Sequence, residues 1–284
     1  MKIAMLYALG KPHCTGAGMH RAFEKLGHEV TAYDSVYLDW MKDTKIGANF
    51  DLYFEATSSG RFNKIPLPES DGVKAYWAID TVSRYKDELS VAKNYDLIFT
   101  PNTEHVRALR EDLPKKEVQL LLLGADDSYL YDRQLPRTLE VAFVGGQSFP
   151  GRRLFLKFVH RHFAKRGFVG KAYMDELAKI YSSAKIGVNY AMHGKMNLRV
   201  FEVMACGALL LTNYSPEAHE LGVFEAGEHY VEYKKLGELK ERAQYYLRHA
   251  AERERIAKAG QRRVMEKHTL TERAKEVLRA VKKA

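Results

Sequence analysis

The chain has 284 residues, 46% hydrophobic and 29% charged, the balance of a soluble globular protein with room for one large domain or two of about 140 residues. No apolar run approaches the roughly 20 residues that span a bilayer, the N-terminal apolar segment is too short for a signal peptide, and two cysteines, Cys14 and Cys206, without metal-type spacing exclude a disulfide framework and point to a reducing cytoplasm. The formal net charge of +9 favours anionic partners: nucleotide phosphates, anionic lipid headgroups or nucleic acid.

Residues 2–9 read as a first strand. A glycine-containing loop over 10–18 leads to a helix over about 19–26, closed by Gly27, and a second strand over 28–33 closes at Asp34. This is a βαβ unit. Its glycines do not match G-x-G-x-x-G, so no dinucleotide site is read. Thr15, Gly16 and Gly18 either let a ligand approach the helix start or make a plain βα turn. Strands over 50–55, 73–79, 97–100 and 118–123 follow, with a Ser, Gly and Pro-rich loop over 57–71 and helices over 83–92 and 104–113. The alternation predicts a parallel sheet covered on both faces, with ligands at the strand C-termini. That edge holds His13, Asp34 and Asp80.

The polar, turn-rich stretch around 124–137 reads as a linker, and Asp126 and Asp127 in it read as turn residues rather than a metal pair. The pattern then restarts with a strand over 139–144. A glycine-rich loop over 145–151 follows, with Arg152 and Arg153 opening a helix to about 166: either a phosphate cradle or a flexible loop with solvated arginines. A helix over 175–183 and a strand over 185–190 lead to the stretch 195–212. There Asn197, Arg199 and Glu202 lie within two helical turns. Phe201, Val203, Met204 and Ala205 form the apolar body, Gly207 ends the helix, and 208–211 reads as a buried parallel strand. A helix start carrying Asn and Arg suits a diphosphate, and Glu202 suits sugar hydroxyls; the alternative is an amphipathic helix with a solvated polar face. Residues 228–233 are strand-like, and charged helices over 236–249, 250–267 and 271–283 finish the chain. The last carries an apolar stripe at Ala274, Val277, Leu278 and Val281. Basic residues in these helices alternate with glutamates, which reads as a solvated surface or as peripheral contact with an anionic membrane.

Several of these residues resemble a known family. Val141 to Gly145 with Arg152 and Arg153, Asp175 to Tyr181, Ala184 to Asn189, Asn197 to Glu202 with Ala205, Cys206 and Gly207, and His268 and Thr269 with Arg273 occur in order. The pattern resembles glycosyltransferases of the spore-maturation CgeB type, relatives of the group one (family 4) enzymes with the GT-B fold. The likeness covers about 139–275; the N-terminal half is similar more loosely, through Tyr76, Trp77, Asp80, Tyr95, Phe99, Ala125 and Asp126. It implies an α/β fold of two Rossmann-like domains whose parallel sheets face a central cleft. Residues 1–125 would form the acceptor domain, 126–138 a linker, 139–267 the nucleotide-sugar domain, and 268–284 a helix packing back toward the first domain.

The implied reaction is metal-independent glycosyl transfer from a nucleotide-sugar, most simply a UDP-sugar, to an acceptor hydroxyl or amine, with no other cofactor. Gly145, Gly146, Arg152, Arg153, Asn197, Leu198, Arg199 and Glu202 are the donor candidates, with Lys171 and Tyr173 beside the nucleobase. Glu202 matches the second of two glutamates that family 4 relatives carry eight apart, with an implied role on the donor ribose. The position of the first is Gly194, which leaves the donor sugar's contacts open. Asp80 is the first candidate for a general base if transfer inverts configuration, His13 the second, with Thr15, Gly16 and Trp77 on the acceptor. The acceptor stays open between glycan, protein, small molecule and nucleic acid, the last served by Trp77, Tyr76, Phe62 and the basic surface, and the oligomeric state stays open too. A non-catalytic nucleotide-binding or scaffold protein on the same fold is the competing reading.

Overall fold

The computed structural model describes residues 1–35, 45–57, 66–146 and 150–283; Phe62 and loop residues 147–149 lie outside the described residues. The chain divides into two compact units: Met1–Ser128 with Leu270–Ala284, and Tyr129–Thr269.

Unit 1 is built from β1 (Lys2–Tyr7), α1 (Thr15–Lys25), β2 (Glu29–Asp34), β3 (Leu52–Thr57), β4 (Val73–Ala78), α2 (Thr81–Ala92), β5 (Leu97–Thr100), α3 (Thr103–Asp112) and β6 (Glu117–Leu120). Its six strands lie in the order β2-β1-β3-β4-β5-β6, all pairs parallel. Ile3 to Leu6, Leu52 to Phe54 and Ala75 to Ala78 are essentially inaccessible to solvent. Burial on both faces explains why these strands read as apolar runs rather than as alternating patterns.

Unit 2 holds β7 (Leu139–Val144), α4 (Pro150–Phe163), β8 (Gly167–Gly170), α5 (Met174–Ser182), β9 (Ala184–Val188), α6 (Leu198–Ala205), β10 (Leu209–Asn213), α7 (Pro216–Leu221), β11 (Val231–Tyr233), α8 (Leu236–Arg248) and α9 (Ala250–Lys267). The sheet order is β11-β10-β9-β7-β8, again parallel throughout. Strand order reverses between β7 and β9, the kind of switch point where α/β sheets open a ligand crevice. The last helix, α10 (Leu270–Val281), belongs to unit 1 and packs on α1, with Ala274, Val277, Leu278 and Val281 buried.

Three local readings change. Helix α1 begins at Thr15, not near 19, because Gly16 and Gly18 are helical residues in tight contacts rather than loop glycines. A Cβ on Gly16 would lie 2.3 Å from Tyr7 Cβ and 2.7 Å from Ala56 O, and one on Gly18 would lie 2.3 Å from Leu270 Cδ1. The segment through Ser128 is docked rather than a free linker. Asp126 binds Arg21 at 2.5 Å, and Asp127 binds Lys25 at 2.5 Å and the Thr271 hydroxyl at 2.8 Å. Strand β8, four residues that begin and end with glycine, has too little pattern to be read from sequence.

In unit 2 Gly187 of β9 sits under α6, where an added Cβ would lie 2.4 Å from Val203 Cγ1. Val203 is fully buried and cannot swing away. Gly187→Ala is therefore expected to destabilise the protein by about 1–3 kcal/mol through overpacking. Thermal denaturation checks this; an unchanged melting temperature would show that α6 lifts off the strand freely. Among the described residues no helix is long and apolar enough to cross a membrane.

Candidate functional site

Arg199 lies at the switch point of unit 2. Arg199, in the first turn of α6, is 9% exposed. Its Nε donates to Val144 O at the end of β7 (2.7 Å) and its Nη1 to Asn189 Oδ1 just past β9 (3.1 Å). The guanidinium lies 4.2 Å from the centre of the Phe143 ring. Its Nη2 rests against Gly145, where a Cβ would stand only 2.1 Å away, and Gly145 has φ +155°. A glycine at this position is thus what lets the arginine reach the strand ends.

Asn189, fully buried, organises the arrangement. Its Oδ1 accepts from both Arg199 and Asn197 Nδ2 (3.2 Å), its Nδ2 donates to Thr212 Oγ1 (3.1 Å), and its carbonyl accepts from Tyr233 OH (2.8 Å). Asn197 is the N-cap of α6 but makes no side-chain cap bond. Its Nδ2 also donates to Tyr190 O at 3.1 Å, and its buried Oδ1 has no hydrogen-bond partner among the described residues. No Asn197 side-chain cap therefore neutralises the first turn of α6, which keeps the ordinary positive end of a helix. Leu198, the first helical residue, is half-buried.

Arg152 and Arg153 part company. Arg152 turns inward, donating to Gly146 O (3.4 Å) and contacting Met192 Sδ (3.4 Å). Burial and the Arg199 charge both lower its pKa. Two cations drawn together in this way are relieved by an anion between or beside them. Arg153 is exposed, because adjacent helical residues point to different faces. Lys171 and Tyr173 are exposed just beyond β8, whose last residue pairs with Val144. Glu202 is partly buried, with no hydrogen bond to its carboxylate from the described residues; burial raises its pKa and Arg199 opposes the rise. Gly194 has φ +68°, and a Cβ there would stand 2.9 Å from Pro216 Cδ. A side chain there would be strained and would have to displace the Pro216 ring.

In unit 1 the candidates do not form one cluster. Asp80 follows β4 as the N-cap of α2, without a side-chain cap bond, and burial raises its pKa to about 6 against the nearby Arg84 charge. His13 lies in the β1–α1 loop, and β3 separates the strands that lead to the two residues. Burial, then Lys11, lowers the His13 pKa. Thr15 and Gly16 are buried in the first turn of α1, with the space above Gly16 filled by protein. Trp77 is not an acceptor platform. It is fully buried in β4 with Nε1 donating to Leu121 O at 3.2 Å, and Tyr76 beside it is equally buried. Aromatic residues in a central strand looked like a surface because sequence alone does not say which strands are covered on both sides.

Sequence reasoning gave no role to Asn189 and missed Glu88, which is 2% exposed and bonded to both Tyr76 and the Asp80 amide. A polar residue ending an apolar strand was the available signal for Asn189; Glu88 sits among charged helix residues and carried none. Among the described residues no group of three or more His, Cys, Asp or Glu could hold a metal ion.

Solved structures share this fold at low sequence identity. Sucrose-phosphate synthase from Thermosynechococcus elongatus aligns with a TM-score of 0.65 at 16% identity, covering 100% of this chain and 98% of that one. Anabaena HepE in complex with UDP-glucose aligns at 0.70 and 12%, covering 100% of both chains. An alpha-glucosyltransferase in complex with UDP-glucose and DNA containing an abasic site aligns at 0.68 and 11%, covering 99% of both. The two parallel sheets with interleaved helices are thus those of the GT-B glycosyltransferases. Comparison with curated proteins gives no match. Over residues 132–279 the sequence matches the model of the family described as Glycosyl transferase-like, and the chain belongs to that family of glycosyltransferases.

Proposed function

We propose that this glycosyltransferase moves a sugar from a UDP-sugar to an acceptor hydroxyl or amine, with the donor diphosphate received at the β7–β9 switch point. The observation that carries the reading is Arg199, fixed across both strand ends with Nη2 at Gly145 and Arg152 beside it. Leaving-group departure builds charge on the diphosphate. Prearranged guanidinium groups and the α6 amides would stabilise that charge without reorganising, so the reading calls for no bound metal. Glu202, one turn along, is placed for the ribose hydroxyls, and exposed Lys171 and Tyr173 for the base edge. Asp80 is the acceptor-side carboxylate, and a pKa near neutrality suits a general base.

Gly194, shut off by Pro216, supports placing the chain with the CgeB-type enzymes, and the sugar's contacts then come from other residues. UDP-sugars are bound by two of the structural neighbours, and one of these also holds DNA. A nucleic-acid acceptor is the weaker reading here, since Trp77 and Tyr76 offer no exposed stacking face. A thermal-shift comparison of UDP and UDP-glucose with ADP and GDP tests the donor. Saturating UDP at 100 Kd is expected to add about 2.7 kcal/mol of stability. No shift with any nucleotide would favour a scaffold without donor binding.

A further inference from the structure

The acceptor-side carboxylate stands on a second, buried one. Helix α2 breaks at Arg84 (φ −146°, ψ 36°), and the Ser83 and Arg84 amides both donate to Asp80 O at 3.0 Å. The break brings Glu88 back under the strand end. Its Oε1 accepts from the Asp80 amide at 3.2 Å and its Oε2 from Tyr76 OH at 2.5 Å. Tyr76 stacks on Tyr95, ring centres 5.2 Å apart, and Tyr95 OH donates to Glu55, fully buried within β3 opposite Tyr76. Three carboxyls, Glu55, Asp80 and Glu88, thus meet along β3, β4 and α2.

We propose that Glu88 is a positioning residue for Asp80: it holds the Asp80 amide in a turn where the Asp80 side chain itself makes no cap bond, and the ionisation of one carboxyl is felt by the other. This rests on the acceptor-side role given to Asp80 above. Burial dominates both groups, raising Asp80 to about 6 and Glu88 to about 8. Facing Glu88, the Tyr76 hydroxyl and the Asp80 amide favour its charged form, while Asp80 and Glu55 oppose it; Arg84 acts on Asp80. Near pH 7 Asp80 is therefore charged while Glu88 keeps its proton. When Glu88 ionises, its bond to the Asp80 amide becomes charge-assisted and the neighbouring carboxylate becomes more basic. A neutral Gln at 88 would keep an amide acceptor for Asp80 and a partner for Tyr76 but could not ionise.

The test is an NMR titration of the Asp80 amide in the whole protein. In the wild type this resonance is expected to move in two steps, near the values of about 6 and about 8 that belong to Asp80 and Glu88. In Glu88→Gln only the lower step should remain. A wild-type amide with no upper step, or an upper step that survives Glu88→Gln, overturns the proposal. Turnover of UDP-glucose at pH 7 gives the positioning readout. Glu88→Gln is expected within about threefold of wild type, and Glu88→Ala lower in kcat by about ten- to a hundredfold at unchanged donor KM. Wild-type kcat in Glu88→Ala would remove the positioning role. Full turnover in Asp80→Asn would instead remove the role of Asp80 while leaving the amide steps in Glu88 intact, so the two failures are distinguishable.

Discussion

Arg199→Ala is expected to lower donor turnover by about 10²–10³, equivalent to about 2.7–4 kcal/mol of lost charge stabilisation. The side chain bridges the ends of β7 and β9, and its remaining Nη2 faces Gly145, where the anion would lie. Truncation removes the charge and also takes the Nε donor from Val144 O, while Asn189 Oδ1 keeps its bond from Asn197. The fold should weaken as well, by about 1–3 kcal/mol for the Val144 carbonyl left without its arginine donor. Two measurements separate these losses. Titration with UDP reports the anion site, and thermal denaturation without ligand reports the structural cost. Arg199→Lys keeps the charge but cannot reach both strand ends with a planar fork, so it should recover less than half of the lost free energy. If Arg199→Ala bound UDP and turned over donor like the wild type, the switch point would not be the diphosphate site.

Asp80→Asn is expected to reduce transfer by about 10²–10⁴ while making the protein more stable at pH 8. The sign of the stability change follows from the raised pKa. The folded value of about 6 exceeds the ordinary 3.8, so the stability linked to this group is full below the ordinary value and is lost as pH rises through the folded one. An uncharged Asn escapes that loss, worth about 1–3 kcal/mol above pH 7. The sign for the rate is opposite. Below about 6 the carboxyl holds its proton and cannot take one from an acceptor, so wild-type transfer should fall as pH drops through that value. UDP affinity should not change, because the residues proposed to bind the donor lie in the other unit. A variant that is stabilised yet fully active would reduce Asp80 to a helix cap, and a retaining reaction would be the natural explanation.

Much of the fold was legible because it is written locally. The parallel strands showed as short apolar runs closed by Gly, Asp or Asn, and the helices as 3.6-residue stripes such as the one on α10. Asn197, Arg199 and Glu202 stood out for the same reason: three polar groups on one short helix followed by a buried strand. Glycines were the weak point. Gly16 and Gly18 looked like a loop, whereas Gly16 and Gly187 are glycines because another element occupies the volume of their missing side chains. A contact of that kind leaves no trace in the neighbouring residues.

What the sequence by itself determined was the class of the chain: two rounds of strand and helix, a basic helix start suited to a diphosphate, and a family pattern spanning the second half. Only the tertiary structure decided which residues of that inventory meet. Arg152 joins Arg199 and Arg153 does not; Trp77 is core, and Glu88, absent from any pattern, holds Asp80. The physical reason is range. Propensity and amphipathic period are set within a few residues, whereas Arg199 finds Val144 across 55 positions of sequence, and burial of a charged group depends on every element packed around it.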